Sequence, residues 1–328
     1  MNSKDFGWCF IGSGRITDRV LNDLLPYANG SYPAAVYSKT YENALRFART
    51  HGAKAYASAD AAMSDPDVKA VYICTTNPSH KDYAIMALRR GLPVLCEKPA
   101  ALSLDDARRI IAASKDSDAY FMEGMWTRHN PVIKRVLSWI EEGRIGKVRS
   151  LSASFSFWHD YNPNSRLFDP AQGGGALYDV GIYVIALSRF VFNEMPESVK
   201  AFADFAPSGV DSLAAMIFKY PGGGISRLFA GVSADEPDDA VISGEKGYIR
   251  IPHFWAPKTS RLVLKKPDGD LGLEEHYTPG FPGEGFQFEF NAVKDDVLAG
   301  RKENSLMTRE LTLSMAELME AAEKSFKA

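Results

Sequence analysis

What the chain lacks narrows the field first. Cysteine occurs only at Cys9, Cys74 and Cys96 in 328 residues, never in a CxxC spacing, and each falls in an apolar run that reads as a buried strand. An odd number of buried thiols excludes a disulfide framework and fits a reducing cytoplasm. The six histidines are scattered, with no metal-ligand spacing, so no metal site is expected. A formal net charge of −3 supplies no basic field for nucleic acid or anionic lipid. No apolar stretch approaches the roughly 20 residues that cross a bilayer, so no membrane partner is expected. Met1 to Asp5 has no basic segment leading into an apolar core, which argues against a secretory signal. Internal repeats and low-complexity linkers are missing too.

What remains is an ordinary globular composition, 45% hydrophobic and 24% charged, in a chain long enough for two domains. The first third alternates strand and helix. Trp8-Cys9-Phe10-Ile11, Ala34 to Tyr37, Val71 to Cys74, Val94 to Cys96 and Tyr120 to Met122 are short apolar runs, as expected of strands buried on both faces. Helices fall between them. One ends at Gly52, and another opens at Ser103 with Asp106 three residues on, a capping-box spacing. The pattern predicts a doubly wound parallel sheet, a Rossmann domain over residues 1–123.

After Glu123 the pattern changes. Asn130-Pro131 opens a helix, and Leu151, Ala153, Phe155 and Phe157 then alternate with serines, the period of a half-buried strand. Turn residues recur at Pro207-Ser208-Gly209, Pro221-Gly222-Gly223, Gly244 to Gly247 and Pro267-Asp268-Gly269. Residues 124–328 are therefore expected to form an α/β domain with an open, mostly antiparallel sheet. Two amphipathic helices, around Phe286, Phe290 and Val293 and around Met315, Leu318 and Ala322, close it.

Four sets of residues carry chemistry. Gly12-Ser13-Gly14-Arg15-Ile16-Thr17 lies at the first strand–helix junction, where Gly12 permits a tight turn and Gly14 lets backbone approach a pyrophosphate. Thr17 stands where Gly or Ala is usual, and such a match alone is also met at plain strand-to-helix turns. Ser38 and Lys39 end the second strand, where an NAD-selective site places a carboxylate. A hydroxyl and an ammonium suit the extra phosphate of NADP(H), unless Lys39 is simply a solvated lysine. Lys98, in Glu97-Lys98-Pro99, ends a buried strand where ligands gather. Finally, Gly173-Gly174-Gly175 precedes a helix with Asp179 and Tyr183 on one face. A carboxylate in that apolar run needs a partner, for which Lys98 is the obvious choice. The other reading of that segment is a glycine-packed helix with a paired core Asp and a buried tyrosine.

Together, Glu97-Lys98-Pro99, Glu123-Gly124-Met125-Trp126-Thr127-Arg128 and Leu167-Phe168-Asp169-Pro170…Gly173-Gly174-Gly175…Asp179…Tyr183 resemble the Gfo/Idh/MocA oxidoreductase family. The likeness is greatest to the branch of dimeric dihydrodiol dehydrogenases and xylose-type sugar dehydrogenases. The resemblance implies that Lys98, Asp179 and Tyr183 face a nicotinamide, that branch having Tyr where many members have His. It implies that Thr75, Thr76, Asn77 and His80 line the cofactor, Thr76 replacing a common proline, and that Glu97 contacts ribose. Trp126 and Arg128 would stand at the pocket rim, or else pack between domains. The chemistry implied is hydride transfer between NADP(H), or NAD(H), and a CH–OH or C=O group of a sugar, cyclic polyol or diol, in a homodimer or higher oligomer. Tyr183 would exchange the proton, which requires lowering a reference pKa of about 10 by about three units; a neighbouring ammonium shifts it that way. Two other classes share the scaffold: redox-inactive dinucleotide sensors, and glycosidase-type enzymes that recycle a tightly held NAD.

Overall fold

Phe6–Ile11 carries no charged side chain, is buried end to end, and forms strand β1. In the computed structural model, which describes residues 5–326, strand and helix alternate from there. The elements are α1 (Arg15–Tyr27), β2 (Ser31–Tyr37), α2 (Tyr41–His51), β3 (Lys54–Tyr56), α3 (Ala59–Met63), β4 (Val68–Ile73), α4 (His80–Leu88), β5 (Val94–Glu97), α5 (Leu104–Asp116) and β6 (Phe121–Gly124). The strands pair in parallel in the order β3-β2-β1-β4-β5-β6, the doubly wound sheet expected. Strand order reverses between β1 and β4, so the carboxyl ends there form the crevice where ligands bind in such sheets. The local signals act as read. Ser103 accepts the Asp106 N–H at 3.1 Å to open α5, and Gly52 ends α2 in the left-handed conformation.

The remaining elements are α6 (Pro131–Glu141), β7 (Val148–Ser156), α7 (Ile182–Phe192), β8 (Ser198–Phe205), β9 (Asp211–Lys219), β10 (Ile225–Gly231), β11 (Ala240–Gly244), β12 (Gly247–Ile251), β13 (Ser260–Lys265), β14 (Leu271–Tyr277), α8 (Gln287–Leu298) and α9 (Arg309–Phe326). Asn130 caps α6 by accepting the Val132 N–H at 2.8 Å. The strands make an eight-stranded sheet, β14-β13-β12-β11-β7-β10-β9-β8, in which only β7 and β10 run parallel. Each of the four expected turns, at 207–209, 221–223, 244–247 and 267–269, joins an antiparallel pair.

Two expectations need correction. Pro170–Phe192 is long and apolar enough to cross a membrane by length and composition, although glycines, Asp179 and Arg189 interrupt the run. The segment is largely buried within the fold, so its apolar surface is used in packing. The domain division also differs. One unit contains residues 5–129 together with Pro282–Leu313, and the other contains Asn130–Phe281 and residues 314–326. Two sets of contacts show how residues 282–313 join the first unit. Phe290 packs edge-on against Trp8 and Tyr72, with ring centroids 4.7 and 5.0 Å away. The buried Asp23 carboxylate, from α1, accepts the backbone N–H groups of Glu284, Gly285 and Phe286 at 2.7–3.0 Å.

Those three donors open α8, where a negative charge also complements the helix dipole. Asp23→Ala strands them in the interior, and the expected loss is on the order of 3 kcal/mol, since each unsatisfied buried donor costs roughly 1–3 kcal/mol. Urea denaturation checks this; a loss below about 1 kcal/mol would contradict the anchoring role.

Candidate active site

The glycine turn is built for close backbone approach. Gly12 has φ +116°, and a Cβ there would lie 2.6 Å from the Cys74 carbonyl oxygen, so no other residue fits. Gly14 is the N-cap of α1, has no side-chain cap, and its missing Cβ faces open space. A helix start left uncapped by the protein is the site a dinucleotide pyrophosphate needs, so these residues fit the cofactor. Thr17, the departure from the glycine pattern, is buried and bonds its hydroxyl back to the Gly14 carbonyl. Ser13 and Ile16 are half-buried and Arg15 is exposed at the same turn. Ser38 and Lys39 follow β2 directly, Lys39 exposed, with no carboxylate at the strand end.

Lys98 follows β5 on the same carboxyl edge, half-buried, and the Lys98–Pro99 peptide is cis. His80 fixes this corner. Its ring is buried, with Nδ1 2.8 Å from the Pro99 carbonyl and Nε2 3.1 Å from that of Thr75, so it ties the loop after β4 to the lysine. Burial lowers its pKa. In that loop Thr75 is half-buried, Thr76 exposed and Asn77 buried. His80 is therefore a strut between loops.

Beneath Lys98 lies a cluster of acids that sequence reading missed. Glu97, expected at the ribose, is buried and accepts a 2.5 Å bond from the Tyr72 hydroxyl. Burial pushes its pKa up, while Tyr72 and Lys98 pull the other way. Glu123, at the end of β6, accepts the Ala100 N–H at 2.9 Å, and burial pushes it up to about 7. Glu289 of α8 is fully buried, and desolvation and Glu97 together drive it well above the carboxylate range. Glu97 and Glu123 end adjacent strands in register, with Cys96 opposite Glu123, which was the available signal. The rim residues are also otherwise engaged. Trp126 is 1% exposed and stacked on Phe286 at 4.3 Å, and Arg128 donates from Nε to the Leu306 carbonyl at 3.1 Å. Trp126 thus packs against the segment 282–313.

In the second unit, Gly174 lets the chain cross itself, since a Cβ there would meet the carbonyls of Arg166, Leu167 and Asp169 at 2.8–2.9 Å. The segment that follows opens with a π-helical turn, Leu177–Gly181, before continuing as α7. Such turns are rare and recur at functional sites. Asp179 lies in it and forms a 2.8 Å ion pair with Arg166, a partner the sequence reading did not name. Arg166 comes from an irregular loop that periodicity could not place. Tyr183 is 8% exposed and bordered by two aromatic rings, Phe155 at 5.5 Å and Trp255 at 6.5 Å, themselves stacked face to face at 4.7 Å. The Trp255 indole is oriented by donating to Asp238 at 3.0 Å.

Comparison with known proteins agrees with this layout. Residues 6–125 match the model of an oxidoreductase family with an NAD-binding Rossmann fold, and residues 133–250 match the GFO/IDH/MocA C-terminal domain. The chain is 32% identical over 315 residues to trans-1,2-dihydrobenzene-1,2-diol dehydrogenase of Xenopus laevis, covering 93% of this chain and 94% of that one. Among solved structures it superposes on aldose-aldose oxidoreductase from Caulobacter crescentus with TM-score 0.88 at 23% identity, covering 98% of both chains. It superposes on levoglucosan dehydrogenase in complex with NADH and levoglucosan with TM-score 0.85 at 21% identity, covering 98% and 97%. With both unit types matched and the glycine turn and Lys98 on one sheet edge, the chain belongs to the Gfo/Idh/MocA family of oxidoreductases.

Proposed function

We propose that this oxidoreductase transfers hydride between NADP(H) and a CH–OH or C=O group of a sugar, cyclic polyol or diol. The observation that carries the reading is the placement of Lys98 and the Gly12–Gly14 turn on the carboxyl edge of one parallel sheet. The names of the similar proteins, a dihydrodiol dehydrogenase and a levoglucosan dehydrogenase, support the substrate class. When bound, the nicotinamide supplies the hydride acceptor or donor. Gly12, Ser13, Gly14, Arg15 and Ile16 would hold its pyrophosphate, and Ser38 and Lys39 its ribose phosphate. Lys98 would donate to the substrate oxygen and stabilise the negative charge that grows there during oxidation. Tyr183 would take the hydroxyl proton, or return it in reduction, with Asp179 orienting the pair. Phe155 and Trp255 would cover the carbon face of the substrate ring. The three buried thiols support a cytoplasmic setting.

Assembly is part of the same reading. One face of the eight-stranded sheet presents Phe202, 77% exposed, with Ile217 on the next strand and Ile225 beyond it. Apolar side chains on an open sheet face support a homodimer formed through it.

Three outcomes test these statements. Lys98→Met and Tyr183→Phe are each expected to fold, retain cofactor binding by fluorescence titration, and lose at least about 100-fold in kcat. The double variant should be little worse than either, because residues acting as a unit are non-additive. Near-normal turnover by Lys98→Met on a confirmed substrate would remove the lysine from the reaction. Lys39→Asp removes a cation and adds an anion, so the ratio of kcat/KM for NADP(H) over NAD(H) is expected to fall or invert. An unchanged ratio contradicts the cofactor assignment. Light scattering at micromolar concentration is expected to give twice the monomer mass, and a value of 36.1 kDa rules the dimer out.

A further inference from the structure

We infer that Asp211 is a positioning residue for Asp179 and Tyr183, holding the π-helical turn that carries the aspartate. The inference rests on the reading of those two residues given above. Asp211 opens β9 and is 7% exposed. Its Oδ2 accepts the N–H of Leu177, the first residue of the π-turn, at 2.6 Å. The glycine run exists to admit this contact. Gly175 has φ +116°, and a Cβ built there would lie 2.2 Å from Asp211 Oδ1. One of the three glycines before the helix thus lacks a side chain where an internal anion needs the room.

The surroundings make that anion expensive to keep. Burial pushes the Asp211 carboxyl up to about 7, against the pull of the Leu177, Ala176 and Asp211 backbone N–H groups. The charged group facing it from α9 is Glu323, which raises it further, and Glu323 itself accepts from the Tyr178 hydroxyl of the π-turn at 3.0 Å. Glu320, also on α9, acts on Tyr178 in the same sense. A group whose pKa is raised on folding contributes stability that is present below its unfolded value, near 4, and is lost as pH rises through about 7. Ionising Asp211 therefore weakens the fold globally while strengthening its own bond to Leu177, since a charged acceptor binds an N–H more tightly than a neutral one. A residue serving packing alone has no reason to be a carboxyl here. One that must clamp a catalytic turn does.

Asp211→Asn separates the two effects, because the amide oxygen still accepts from Leu177 but cannot ionise. In the wild type, kcat is expected to fall on an acid limb with a midpoint near 7. In the variant that limb should vanish and kcat at pH 8.5 should drop about tenfold, within the range a small misplacement of reacting groups produces. Cofactor KM should hold, and stability at pH 8.5 should equal or exceed that of wild type. An unchanged acid limb with wild-type kcat overturns the inference. Should the variant fail to fold, amide hydrogen exchange on the wild type decides instead. Exchange at Leu177, corrected for intrinsic pH dependence, should slow at least threefold from pH 6 to pH 8, and no slowing refutes the clamp. Tyr183→Phe run alongside keeps the two readings apart: if it retains full turnover the assignment of the active site fails, whatever Asp211 does.

Discussion

The first turn of a helix presents backbone N–H groups that no residue of that helix can satisfy, and this molecule is organised around how those groups are answered. Some starts are closed locally: Ser103 over α5, Asn130 over α6. Others are closed from afar by a buried carboxylate, Asp23 over α8 and Asp211 over the π-turn before α7. Others, at Gly14, Thr40 and Ser79, have no side-chain cap, and Gly14 is the one in the glycine turn after β1. The distant caps draw remote segments together, and the start at Gly14 is where the cofactor's negative charge belongs. Architecture and chemistry thus draw on the same electrostatic demand.

That division also explains what could be read from the sequence. Local caps lie within three residues of the donors they serve, so Ser103 and Asn130-Pro131 were legible, as were four turns and the alternation of β7. The parallel sheet was legible because its strands are uninterrupted apolar runs. β3 and α3 were not, being too short for any period to register. Asp23 and Asp211 were invisible for a different reason. Their partners are 261 or more and 34 residues away, and nothing in the identity of an aspartate announces a remote helix. The same holds for the site. Lys98 and the glycine turn stand where periodicity put them, whereas Arg166, Phe155 and Trp255 reach their places through loops and sheet register.

Around Lys98 the interior is unusually acidic. Glu97, Glu123 and Glu289 are all buried, and burial raises each. Burial and like charge work against ionising all three together, while Lys98 favours the ionised forms of Glu97 and Glu123. The lysine's environment depends on α8, which contributes Glu289 from the far end of the chain.

The return of residues 282–313 to the first unit has a bearing on how the protein is made. Trp8 and Asp23 leave the ribosome early, but the ring and the helix start they need are some 260 residues behind. At roughly 5–20 residues per second, the nucleotide-binding half waits on the order of tens of seconds with its aromatic core open on one side. The other half, contiguous from Asn130 to Phe281, has no such delay for its sheet. The part of the chain that begins first thus waits longest for a segment it packs against, and a nascent chain stalled before residue 282 would carry an exposed Trp8–Tyr72 surface for chaperones to find.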